Sequence, residues 1–162
     1  MPAIQIRHIR VREGRLDLEV AIALSQLHVS EACARRICAL LPNLPHHLCV
    51  NKSAEGPHFG DEVVGTELAH LLEHVIIELQ GQAYRGANPM PQFIGHTSWL
   101  DELSATRAHG IALMRTTVTF ADDLVALQAV KEAAALVEWA VREDGVVAPD
   151  VQVCVSRIRA IM

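Results

Sequence analysis

From Gly65 to Ala83 the chain contains no lysine, arginine or proline, and its apolar residues recur at helical spacing. At about 100° per residue, with His70 set at zero, Leu68, Ala69, Leu71, Leu72, Val75, Ile76 and Leu79 gather on one arc. Thr66, Glu67, His70, Glu73, His74, Glu78 and Gly81 gather on the other, interrupted by Ile77. The spacing predicts a helix over 65–83 whose apolar face packs on a sheet. A surface helix usually interleaves lysine and arginine for i,i+4 pairs. A stripe of acids and imidazoles alone favours a cation instead.

The flanking segments supply the sheet. Ile4 to Val11 alternates apolar with polar and reads as an edge or partly buried strand, Glu13-Gly14 as a turn, and Leu16 to Leu24 as a second strand. Val29-Ser30-Glu31 followed by Ala32, Ile37, Leu40 and Leu41 reads as a helix capped by Ser30 and stopped by Pro42. Pro42 to Gly60 has loop composition, with His46, His47 and His58 expected in solvent. Phe93 to Trp99 and His109 to Phe120 are strand-like. Asp122-Asp123 opens a long helix through Val141, and after the Asp144-Gly145 turn Val151, Val153 and Val155 fit either a strand or a short helix. The expected architecture is α+β: a single domain over 1–162, a mostly antiparallel sheet with two long helices and one shorter helix packed on it.

Composition narrows the function. Hydrophobic residues make up 51% of 162, enough for a real core, while a net charge of -5 supplies no basic surface for a nucleic acid. No apolar run reaches the eighteen or so residues of a membrane span, and the N-terminal segment lacks a signal-like apolar stretch, so a cytoplasmic protein is expected. A homo-oligomer is allowed. Cys33, Cys38, Cys49 and Cys154 form no C-x-x-C pair and are expected to be reduced, partly buried thiols.

His70-Leu71-Leu72-Glu73-His74 is an H-x-x-E-H sequence, the reverse of the H-E-x-x-H zinc helix. Imidazoles at i and i+4 stack one turn apart and can reach one ion at about 2.0 to 2.1 Å. Glu73, on the same face, can take a proton from a water that the ion activates. The cofactor expected is zinc or another divalent transition metal. Glu78 is the first candidate for a third ligand, with a role as hydrogen-bonding partner of His74 as its alternative. His96, Asp122 and Asp123 are the others, while His8, His28 and His109 are read as structural.

The stretch Gly65-Thr66-Glu67-Leu68-Ala69-His70-Leu71-Leu72-Glu73-His74-Val75-Ile76-Ile77-Glu78-Leu79-Gln80 resembles the G-T-x-x-x-H-x-x-E-H-x-x-x-E-L-Q motif in the N-terminal domain of cyanophycin synthetases. Element order agrees over roughly 3 to 142. The resemblance implies a domain that, in the synthetases, precedes an ATP-grasp and a Mur-ligase-like domain; neither is recognisable in these 162 residues, and no phosphate-binding glycine loop is present. It further implies that some such domains carry a metallopeptidase-like site able to cut the aspartate–arginine polymer, a motif matched here by His70, Glu73, His74 and Glu78. Where the synthetases have G-R-T-R, this chain has Gly95-His96-Thr97-Ser98, which removes two cations from the expected pocket wall.

Two functions follow as expectations. The first is a metal-dependent hydrolase of amide or isopeptide bonds in a peptide or amino-acid conjugate. His70, His74 and Glu78 would hold the ion, Glu73 would be the base, and Glu67, His96 and Thr97 would touch substrate. Acids around the site, with Asp101 and Glu102 among them, favour a cationic group such as a guanidinium. The second is a non-catalytic module that binds a peptide, a polymer or a protein partner.

Overall fold

The computed structural model describes residues 2–50, 56–100, 109–142 and 145–162. Asp101, Glu102 and Asp144 lie outside them. Within the described residues, β1 (Ile4–Arg12), β2 (Arg15–Ala23), β3 (Gly95–Trp99) and β4 (Ile111–Thr119) form one sheet in the order β1-β2-β4-β3, every neighbouring pair antiparallel. The α+β class and the antiparallel sheet are as the sequence predicts. Gly14 turns the β1–β2 hairpin at φ 73°, a left-handed conformation that glycine adopts without penalty.

One face of the sheet carries the core. Leu16, Leu18, Val20 and Ile22 of β2 and Ala112, Met114, Thr116 and Val118 of β4 are buried, while Arg15 and Arg115 on the opposite face are exposed. This is the period-2 pattern of a sheet covered on one side. Helix α2 (Leu68–Ala83) lies across β4 and β3 and packs beside α3 (Asp123–Val141), which also touches β1 and β2. Helix α1 (Glu31–Leu40) packs on α3.

The predicted Ser30 cap forms, and Asp122, where the long helix is expected to open, caps it. Ser30 Oγ accepts from Cys33 N at 3.1 Å, and Asp122 Oδ1 accepts from Val125 N at 3.1 Å. The C-terminal tail, open between strand and helix in the sequence, is α4 (Val151–Arg159), capped by Asp150 and packed on α2 and α3. Cys154, Val155 and Ile158 form its buried face, so a helical period underlies the alternating valines. Arg159 then donates from Nη2 to Gln82 O at 2.9 Å and from Nε to Ala83 O at 3.2 Å, which adds a charged donor to carbonyls at the end of α2. No helix among the described residues is long and apolar enough to cross a membrane.

Candidate metal centre

Helix α2 presents its polar stripe inward. Glu73, His74 and Glu78 are buried and His70 is half-buried, because the loop between α1 and α2 folds back over that face. Two arms of the loop hold each other in extended pairing: Phe59 N donates to His47 O at 2.8 Å and Cys49 N to Pro57 O at 2.8 Å, with a bridge between Leu48 and His58. Alternation along an extended arm sends neighbouring side chains to opposite sides. His47 and Cys49 therefore point at α2, while Leu48 and Val50 are exposed.

Cys49, His70 and His74 bring one ligand atom each within 4.8 Å of one another. The Cys49 Sγ to His70 Nε2 distance is 3.4 Å. Ligands 2.0 to 2.3 Å from one tetrahedral ion stand roughly 3.3 to 3.8 Å apart, so small side-chain adjustments close the set. The second nitrogen of His70 is already occupied: Nδ1 lies 2.8 Å from Thr66 Oγ1 and 3.6 Å from Glu62 Oε1. Glu62 Oε1 also accepts from the Cys49 thiol at 2.9 Å.

A transition-metal ion fits these residues. His74 Nε2 is buried with no hydrogen-bond partner among the described residues, a costly state unless something else takes its lone pair. One thiol and two imidazoles are the donors that borderline-soft ions prefer. Burial, with His70 and His47 adding to it, holds the His74 imidazolium down to about 3, so the ring is neutral and its lone pair is available. Burial likewise lowers His70, against the pull of Glu62 and Glu67. Burial, the hydrogen bond to Glu62 and the charges of Glu62 and Glu73 push the Cys49 thiol up to about 12, so a metal taken up there displaces a proton.

Glu73 faces the same cleft but belongs to no ligand set among the described residues. Burial raises its carboxyl to about 7, the bond from Thr97 lowers it, and the Glu62 charge raises it further. Thr97 Oγ1 donates to Glu73 Oε2 at 2.6 Å. A Cβ at Gly95 would stand 2.6 Å from Glu73 Cγ, so the strand approaches this carboxylate as closely as only glycine permits.

Glu78 lines the same cleft but lies outside the Cys49, His70 and His74 group. It accepts hydrogen bonds from His47 Nε2 at 2.7 Å, Gln82 Nε2 at 2.8 Å and Asn43 Nδ2 at 3.2 Å. Burial would raise its carboxyl, yet these bonds outweigh it and leave the group below its ordinary value. Glu67, His96 and Thr97 line the same cleft of about 970 Å³, His96 exposed on β3. Asp122 and Asp123 stand at the N-terminus of α3 and do not line the cleft. His46 and His58 are exposed as expected, but His47 is half-buried against His74.

Sequence reasoning missed Cys49, His47, Glu62 and Phe59. The available signal was weak: His47 and Cys49 are two residues apart in the short apolar centre of a histidine-rich loop. Side chains with that spacing share one face only if the segment is extended, and nothing in the loop's composition says that it is.

No curated protein matches the chain. Residues 15–91 match the profile of the cyanophycin synthase-like N-terminal domain. This span begins at β2, takes in the loop and α2 with Cys49, His70 and His74, and ends before β3, so it is narrower than the likeness in element order. Over residues 15–91 the chain is thus similar to the cyanophycin synthase-like N-terminal domain, and Cys49, His70 and His74 of the candidate metal centre lie within that span.

Proposed function

We propose that this protein is a metal-dependent hydrolase of amide or isopeptide bonds in a peptide or amino-acid conjugate. The observation that carries the reading is Glu73: a buried carboxyl near 7, held by Thr97, in the cleft that also holds Cys49, His70 and His74. Zinc held by Cys49, His70 and His74 would act as a Lewis acid, bringing the pKa of water at its open position to about 7.

The chain's own groups then have defined tasks. Glu73 accepts a proton from the attacking water and returns it to the departing amine, work for which a pKa near the operating pH is best suited. Thr97 orients the carboxylate, and Glu62 and Thr66 hold His70 in place. Among the described acids of the cleft, Glu67 is the one left to attract a cationic substrate group, because Glu78 is taken up by three hydrogen bonds.

A second reading, a peptide-binding module without turnover, draws support from the cleft's apolar lining. Leu48 is 77% exposed, Ile94 71% and Val50 fully, a surface suited to holding an apolar chain. Incubating the zinc-loaded protein with peptide and isopeptide libraries separates the two. Products from the parent that disappear in Glu73→Gln, with metal retained, support the hydrolase. Saturable retention without products leaves the binding module.

A further inference from the structure

We infer that His47 and Glu78 form a positioning pair that fixes the tautomer of His74, so that its unprotonated Nε2 is the atom offered to a cation. The inference rests on the metal reading of the site and assigns a task to two residues outside its ligand cluster.

Hydrogen-bond direction follows from chemistry at the far end of the chain of contacts. Asn43 Nδ2 and Gln82 Nε2 are amide nitrogens and only donate, so Glu78 is the acceptor for both, at 3.2 and 2.8 Å. An ionised carboxylate only accepts, so its third partner, His47 Nε2 at 2.7 Å, carries a proton. A neutral His47 then has its lone pair on Nδ1. That atom lies 3.1 Å from His74 Nδ1, which must donate. With the His74 proton placed on Nδ1, its lone pair is on Nε2, the buried nitrogen that has no hydrogen-bond partner among the described residues.

The opposite arrangement is disfavoured by the same contacts. A second proton on His47 Nδ1 would force His74 to accept there and to carry its own proton on Nε2. That would leave a buried donor with no acceptor among the described residues. The ring is also held against turning. Phe59 stacks on it with centroids 3.9 Å apart and planes 19° from parallel. Glu78 sits one turn beyond His74 on α2, and His47 reaches between them from the loop, so helix and loop must dock for the pair to form. An imidazole fixed by a hydrogen bond at its other nitrogen is oriented and made a better ligand, an effect of about 10- to 100-fold in affinity when the partner is lost.

The test uses imidazole 15N–1H correlation spectra of the metal-free protein, with zinc affinity measured by competition against a chelating dye. The parent should show His74 protonated at Nδ1 and His47 at Nε2. His47→Ala should let His74 populate both tautomers and bind zinc about 10- to 100-fold more weakly. His47→Gln, whose amide oxygen can accept from Nδ1, should recover most of the affinity. Glu78→Gln should shift the His47 signals, which a role in packing alone would not. A parent His74 protonated at Nε2 overturns the proposal, as does a His47→Ala variant that keeps both tautomer and affinity. Absence of zinc uptake by the parent overturns the metal reading instead, and the metal-free spectra report on the tautomer separately.

Discussion

Phe59 lies flat against His74, ring centroids 3.9 Å apart, and meets His70 edge-on at 5.2 Å. It is fully buried although it belongs to a three-residue 3-10 turn in the loop. The apolar ring thus covers one side of both imidazoles, and burial is the main reason their protonation is disfavoured. Phe59→Ala should cost about 3 to 5 kcal/mol of stability, the usual range for a buried aromatic. It should also move the His74 pKa back toward its ordinary value. Urea denaturation and imidazole NMR titration check the two effects.

Cys49 is the donor whose removal most directly tests the cluster. Elemental analysis of protein purified without chelator should give about one zinc or similar ion per chain, in keeping with a three-donor site. Cys49→Ala should weaken uptake by more than the roughly hundredfold loss typical of an outer partner. Cys33 and Cys154 are buried in the core and do not line the cleft, so they offer no replacement ligand there. Zinc affinity equal to the parent's in Cys49→Ala would remove this residue from the site.

Gly95→Ala places a methyl group within 3 Å of three Glu73 side-chain atoms. The carboxylate must move, and its bond from Thr97 is lost or lengthened. The expected stability cost is about 1 to 3 kcal/mol, as for other overpacked sites. Turnover should fall further than metal content. A variant with parental turnover would show that Glu73 does not need its present position.

Glu73 also gives the metal-free protein a pH-dependent stability. Its carboxyl ordinarily titrates near 4.5 but near 7 in the folded chain, so between those values the unfolded state releases a proton that the native state keeps. Stability falls as pH rises through this window, by about 3 kcal/mol in all. Glu73→Gln removes the penalty. In the presence of chelator the variant should match the parent near pH 4 and exceed it by up to about 3 kcal/mol at pH 8. Equal urea midpoints at both pH values would mean that Glu73 titrates normally.

Much of the framework was legible because local rules and tertiary context agree. Alternation marked β1, apolar and β-branched runs marked β2 and β4, whose inward residues are buried, and Ser30 and Asp122 announced the starts of α1 and α3. The tail was ambiguous because Val151, Val153 and Val155 alternate, while the buried positions Cys154, Val155 and Ile158 are visible as a helical face only once α2 and α3 are there to receive them.

Helical periodicity placed His70, Glu73, His74 and Glu78 on one stripe, since residues three and four apart on a helix are neighbours whatever surrounds them. What covers the stripe was decided by the loop. Its pairing of 47–49 with 57–59 turns His47 and Cys49 inward and lays Phe59 on His74, through contacts between residues far apart in sequence. Those contacts made Cys49 a candidate ligand, gave Glu78 to His47, and turned a face that could have been wet into a buried one. The sequence alone determined which side chains share the helix face, because that depends on local backbone geometry. Their burial, protonation and partners depended on the packing of distant segments, which no local period encodes.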